Sequence, residues 1–406
     1  MPASLALTHT RVIDGRGGLI EDATVVIRQG RIAAVGGDRR VTVPRGATRI
    51  NARGLTVLPG LIDCHVHVCL GADADVDRAL REESPGRTLL KAAAFAERTL
   101  FAGFTTVRDL GYRNHDIFEL VRAIETGIIP GPRILAAGLA ICMTGGHANW
   151  IGRQADGPEE IVNAVREQLT AGARVVKFIA SGGVLTPGTA PDLPQLTVEE
   201  LSAGMREARR AGRTIAAHAH AAAGMKNAAL AGTHSIEHGT LMDDEAAALM
   251  KDRGVFMVPT LSALATTAEA GTACGIPASA VEKASAMRIR HQASFQKAMA
   301  TGVPIAMGTD AGTPFNHHGE NAQELERMVA LGMTPMAALM AATSAAARLL
   351  GLDHEIGAIE KGKIADLVVI KGNPLSKIGF VRDRKRIMGV MQAGRFVAGK
   401  LQEGEG

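Results

Sequence analysis

The chain has 406 residues, 45 Lys+Arg against 41 Asp+Glu, and a formal net charge of +4. Hydrophobic residues make up 46% and charged residues 21%, a globular balance that excludes a disordered chain, and the 47 glycines show no three-residue period, which excludes a collagen-like one. With so small a net charge, no long Lys/Arg run and only 3% aromatics, neither the basic field nor the stacking platform of a nucleic-acid binder is present.

At about 100–200 residues per domain the length suggests two or three domains, although an α/β barrel takes about 250 residues as one. The opening MPASLALTHTRVIDG lacks a basic segment followed by an apolar stretch, and no run reaches the roughly 18 apolar residues of a membrane span. A cytoplasmic protein without membrane contact is expected. Cys64, Cys69, Cys142 and Cys274 form no CxxC and read as buried free thiols in a reducing compartment.

Residues 4–56 alternate short β-rich runs with Gly-containing turns, and VVIRQGRIAAV predicts a hairpin around Gln29-Gly30. The middle of the chain changes character. Eight apolar runs follow one another, at 57–68, 105–111, 133–138, 175–181, 214–220, 234–239, 255–261 and 304–312, separated by amphipathic stretches. The clearest helices are PEEIVNAVREQLTAG, LTVEELSAGMREARRAG with a capping box from Thr197 to Glu200, and PASAVEKASAMRIRHQASFQKAMATG ending at Gly302. Strands alternating with helices imply a parallel sheet, and eight repeats imply a (β/α)8 TIM barrel. An open doubly wound sheet is the alternative, but no GxGxxG follows the first strand. The last segments, ADLVVIKGNPL and IMGVMQAGRFVAGK, are β-rich again, with a second hairpin at Ala393-Gly394. Neither end is large enough to bury a core alone. The expected organisation is therefore an α/β chain: 1–56 plus 360–406 forming a small composite β-sandwich, and 57–359 forming the barrel.

Polar residues concentrate at the C-terminal ends of the apolar runs, which is the catalytic face of a barrel. His65 and His67 end the first run with period-two spacing, so both lie on one strand face. Lys177 lies in the fourth run, His218 ends the fifth, His238 the sixth, and Asp310 the eighth. Four histidines and an aspartate at one mouth make a site of N and O ligands suited to zinc or a similar divalent ion. Lys177, flanked by Val175-Val176 and Phe178-Ile179, stands in a strand covered on both faces. Its ammonium must lose its proton, pair with a carboxylate, or be converted to an anion. A carboxylated lysine would supply two oxygens able to bridge two ions. His147, in the loop after the third run, His220, beside His218, and His317 and His318, after the eighth, are candidate substrate contacts. Arg108 and Arg113 could meet a substrate carboxylate or pair with Asp109 or Asp116.

These motifs, LIDCHVHV, VVKFIASGG, HAHA, SIEHG and GTDAG, resemble the amidohydrolase superfamily. The flanks VIDGRGGLIEDATVVIRQGRIAAVG and GAIEKGKIADLVVIKGNPL resemble its composite β-sandwich, so the resemblance covers essentially the whole chain. TGGHAN (144–149), the HAH pair and DAGTPFNHHGENAQELERMV look most like its prolidase-like branch. That branch holds binuclear metal peptidases and amidases acting on Xaa-Pro dipeptides, N-acyl amino acids and related xenobiotic amides. The chain departs from the branch's commoner HAHG and TGGHGD forms at Ala221 and Asn149.

The resemblance implies two divalent metal ions, with zinc expected. His65, His67 and Asp310 would hold the more buried one, and His218 and His238 the more exposed one. Lys177, carboxylated by CO2, would bridge them. Two cations lower the pKa of a bridging water, so hydroxide is available to attack a polarised amide carbonyl. Asp310 would take the proton and return it to the leaving amine. The expected partner is a small-molecule amide, with self-association into a homo-oligomer. Three other readings stand beside this one: a deaminase or cyclic-amide hydrolase, a lactonase or other ester hydrolase, and a non-catalytic scaffold. Lys177 argues against a mononuclear deaminase, and the complete set of ligand positions argues against a scaffold.

Overall fold

The computed structural model of the chain describes residues 4–399 and 401. It divides into two compact units: the described parts of Met1–Ile62, Glu97–Thr106 and Gly319–Gly406, and Asp63–Ala96 with Val107–His318. Residues 57–62, 97–106 and 319–359, expected with the barrel, group with the chain ends.

The first unit is built on one eight-stranded sheet. The two ends meet where Leu367–Lys371 runs antiparallel to Leu55–Pro59, with Val369 opposite Val57. Both expected hairpins form with two-residue turns. Arg28 faces Arg31 across Gln29-Gly30, and Gln392 faces Arg395 across Ala393-Gly394. All four turn residues have positive φ, the geometry that matches strand twist in a tight hairpin. Alternate residues of these strands, among them Leu7, Val25, Val57, Leu367 and Met391, bury one shared core. The strand Leu5–Ile13 pairs along one edge with Thr48–Asn51 and then with Leu55–Pro59, so the sheet branches there and does not form two separately bonded sheets.

The second unit carries the parallel strands, which we label β1 Leu61–Val66, β2 Phe104–Asp109, β3 Arg133–Ala136, β4 Val175–Ile179, β5 Thr214–Ala221, β6 Ser235–Leu241 and β7 Phe256–Val258; β1 and β2 begin in the first unit. They fall in the first seven expected runs. β1, β2 and β3 form one sheet, and β4 to β7 pair in order in another. Arg174 N donates to Ala136 O and so joins β3 to β4. The eighth run, 304–312, is not a continuous strand. It is held by single contacts: Met257 N to Pro304 O on one side, Cys64 N to Met307 O and His67 N to Ala311 O on the other. These close the ring into a TIM-barrel-like domain. Leu110, Ala137, Val175 and Ala216, from four successive segments, pack together as an interior layer.

The expected helices are present as Gly157–Ala171, Val198–Arg210 and Ala278–Thr301. The Thr197–Glu200 capping box is formed in both directions, and the first and third helices stop at Gly172 and Gly302 in the left-handed region. Among the described residues no helix is long and apolar enough to cross a membrane. All four cysteines are free, but Cys274 is exposed and so departs from the expectation of four buried thiols.

Candidate functional site

Strand alternation and the turns after the strands bring His65, His67, Lys177, His218, His238 and Asp310 to the lining of one cavity of about 50 Å³. All six are buried. Two of them, His238 and Asp310, have positive φ of 72° and 61°, a backbone state that costs a non-glycine residue about 1–3 kcal/mol and gathers at functional sites.

The geometry around His65, His67 and Asp310 could hold an ion. His65 Nδ1 lies 2.9 Å from Glu237 Oε2, and His67 Nδ1 lies 2.9 Å from Gly111 O. Both partners are acceptors, so each ring, when neutral, carries its proton on Nδ1 and turns Nε2 to the cavity. Against its burial, the His67 pKa is pulled upward by Asp310. The two Nε2 atoms stand 3.3 Å apart. Asp310 Oδ1 lies 3.4 Å from one and 3.3 Å from the other. That oxygen is buried and has no hydrogen-bond partner. Two imidazole nitrogens and a carboxylate oxygen converging at this spacing could hold a cation among them.

A second group lies beside the first. Ligand atoms of His218, His220 and His238 fall within 4.8 Å of one another, and those of His65, His238 and Asp310 do likewise. His238 therefore joins the two groups. His218 Nε2 donates to Gly182 O at 3.1 Å, which leaves Nδ1 as its free donor atom. His220 Nδ1 meets Thr240 Oγ1 at 2.7 Å, and His238 Nδ1 meets Thr260 Oγ1 at 2.6 Å. Burial holds all three rings well below the usual histidine range, reinforced by the neighbouring imidazoles, so they are neutral and able to bind a cation. His220, expected as a substrate contact, thus stands among the possible metal donors.

Lys177 has no hydrogen-bond or ion-pair partner among the described residues. The structure does not show the expected alternative of pairing with a carboxylate. Burial pulls its ammonium down to about 8, against the more distant Glu237 and Asp310 carboxylates. A neutral amine is the form that adds CO2. Asp310 is held well below the carboxylate range, because the attraction of His65, His67 and Lys177 outweighs its burial.

Beneath these residues runs a buried polar scaffold that sequence reasoning missed. Arg108, wholly buried, donates to Cys64 O, Ser235 Oγ and Glu237 Oε1. Although burial raises Glu237, the Arg108 guanidinium and His65 hold it at about 2. Asp63 accepts from His65 N and from Thr309 N and Oγ1, which fixes β1 to the segment that delivers Asp310. The available signal was an Arg and a Glu inside apolar runs, since opposite charges there must find each other.

The other candidates separate. His147 lines the cavity, its Nδ1 2.9 Å from Thr186 Oγ1 and its ring 4.6 Å from that of His218. His318 is buried away from the cavity, its Nε2 on His67 O and Leu70 O and its ring stacked on Phe95. It braces the turn after β1, which corrects its assignment as a substrate contact. His317 is exposed, beside Phe315, and does not line the cavity. Arg108 is taken by Glu237, and Arg113 donates to Glu83 O and Thr88 Oγ1, so neither arginine pairs as expected or faces the cavity.

Comparison with known proteins identifies the family of the chain. The model of the amidohydrolase family matches residues 56–397. Ochratoxinase of Aspergillus niger is 32% identical over 429 aligned residues, covering 96% of this chain and 85% of that protein. The crystal structure of a Xaa-Pro dipeptidase with methionine bound in its active site superposes with a TM-score of 0.91 at 35% identity, covering 98% of this chain and all of the other. A prolidase complexed with N-methylphosphonate-L-proline gives 0.90 at 34%, with the same coverage.

Proposed function

The chain belongs to the amidohydrolase family and is a hydrolase, and on that premise we propose that it is a binuclear metal-dependent enzyme that cleaves an amide or peptide C–N bond. Its substrates are drawn from Xaa-Pro dipeptides, N-acyl amino acids and related xenobiotic amides. The observation that carries this reading is the convergence of His65 Nε2, His67 Nε2 and Asp310 Oδ1, the last buried and without a hydrogen-bond partner. These three would hold one ion, His218 and His238 would hold the second, with His220 beside them, and Lys177, carboxylated, would complete the donor set. The neutral imidazole and carboxylate donors suit zinc.

Bound there, the ions supply Lewis-acid activation of water and of the scissile carbonyl. The remaining chemistry belongs to the chain. Asp310, ionised at neutral pH, accepts the proton of the attacking water and hands it to the leaving nitrogen, acting as base and then as acid. The Arg108–Glu237 pair keeps His65 in one tautomer and orientation. Leu70, Leu110, Ile151, Ile179 and Leu185 line the cavity and keep bulk water from the reacting carbonyl.

A mass-spectrometric screen of the metal-loaded enzyme tests this reading. The panel holds Xaa-Pro dipeptides, N-acyl amino acids, aryl amides, lactones and amino-heterocycles. Cleavage of the first three classes into acid plus amine is the expected result. Replacement of an amino group by oxygen, or hydrolysis of lactones alone, would overturn it.

A further inference from the structure

Two residues that line the cavity carry polar side-chain atoms shut off from solvent and without a hydrogen-bond partner: Asp310, at Oδ1, and Trp150, at the indole Nε1. The carboxylate oxygen is accounted for by a cation. The indole nitrogen is not, because it carries a hydrogen and only donates. A donor buried in this way is unfavourable until an acceptor reaches it.

Trp150 is not free to search for an acceptor elsewhere. It sits in the short 3-10 turn Asn149–Ile151, entered through Ala148 in the left-handed region at φ 57°. Ala148 N donates to Thr186 Oγ1, Asn149 Nδ2 donates to Gly146 O, and Ile151 N donates to Ala148 O. The neighbouring lining is apolar, with Leu70, Leu110, Ala140 and Ile151, and His147 has its Nδ1 committed to Thr186. Among the described residues no arginine lines the cavity, and its single lysine is Lys177. The indole N–H is therefore a donor without a partner, on a residue of the cavity lining.

We propose that Trp150 is a specificity-determining residue: its N–H donates to a substrate oxygen other than the scissile carbonyl, and its ring packs on the apolar group next to that oxygen. The favoured substrates are amides that carry a second oxygen acceptor, a carboxylate or a neutral carbonyl, beside an apolar side chain. This assignment rests on the amide-hydrolase reading above.

Trp150 is the chain's only tryptophan, so its signal is unambiguous. Three matched probes are added to the metal-loaded enzyme: N-acetyl-L-phenylalanine, N-acetyl-L-phenylalaninamide, and N-phenethylacetamide, which lacks the second oxygen. The ultraviolet resonance Raman band sensitive to indole N–H hydrogen bonding shifts with the first probe, or with the first two, and not with the third. A response to the acid alone makes the acceptor a carboxylate, and a response to both makes a neutral carbonyl sufficient. Trp150→Phe keeps an aromatic ring, smaller than the indole, and deletes the N–H. It raises KM, or Ki where a probe is not turned over, about tenfold more for the responding probes than for N-phenethylacetamide, with metal content unchanged. A band that none of the probes moves, or one that N-phenethylacetamide moves equally, overturns the proposal. A shifted band without cleavage of any probe leaves the N–H role standing and counts against amide hydrolysis instead.

Discussion

Glu237 Oε2 lies 2.9 Å from His65 Nδ1, both groups are buried, and this contact decides which nitrogen of His65 is left to meet a cation. The carboxylate is itself held by Arg108 at 2.9 Å. Glu237→Gln removes the charge that fixes the tautomer and leaves Arg108 uncompensated. Metal affinity should fall about 10–100-fold, measured by chelator competition. Denaturant unfolding should show a loss of about 3 kcal/mol, the cost of a broken buried pair.

Lys177 and Asp310 should fail in different ways. Asp310→Asn should fold normally and lose at least about 10²–10⁴ in kcat, the contribution of a positioned proton acceptor. Lys177→Ala should lose metal as well as activity, read by elemental analysis, and wild-type enzyme fed carbon-13 bicarbonate should show a carbamate carbon. Full metal and activity in Lys177→Ala would rule the carbamate out. Lys177→Met, of similar bulk, should stabilise the metal-free protein by about 1–4 kcal/mol, because it replaces a buried, unpartnered ammonium.

The loop after β4 is gathered around one cation. Lys283 Nζ, on the helix Ala278–Thr301, donates to Thr189 O at 2.7 Å, Thr186 O at 3.2 Å and Gly183 O at 3.4 Å. The same loop gives Gly182 O to His218 and Thr186 Oγ1 to His147, and sets Leu185 in the cavity lining. Lys283→Met should cost about 2 kcal/mol of stability. It should raise KM more than it lowers kcat, with metal content unchanged. Steady-state kinetics beside elemental analysis reads both.

Acid should weaken the fold through His291. Its Nε2 lies 3.0 Å from His238 O, and burial pulls its pKa from 6.5 to about 4 against the pull of that carbonyl and of Pro259 O. The unfolded chain therefore takes up this proton first. Stability falls as pH drops from about 6.5 to about 4 and levels off below, roughly 3 kcal/mol in all. In urea titrations of metal-free protein, the difference between wild type and His291→Gln should follow that window.

Seven of the eight barrel runs were legible because a buried strand is a short apolar run and its polar terminus stands out. The eighth was legible as a position and not as a strand. Gly308 takes the space beside His65 and Asp310 turns left-handed, so the segment is held by bridges. The HxH spacing placed His65 with His67 because that relation is local. Arg108 stood out, but its pairing with Glu237 escaped notice because it crosses from β6 to β2, 129 residues apart. Spacing could not tell His317 from His318, since a turn and not a strand sets their directions. It could not separate His218 from His220 either, because two residues apart in a strand share a face.

The eighth segment also gives the molecule an order of events. Asp63 on β1 holds Thr309 across 246 residues of chain, and Asp310 follows directly on that tie. The carboxylate that completes the first group of donors arrives only when the last segment is stitched to the first. A nascent chain still short of residue 304 already contains the histidines of both groups, yet it lacks the acid that completes the first. That group is finished only when the circumference is closed.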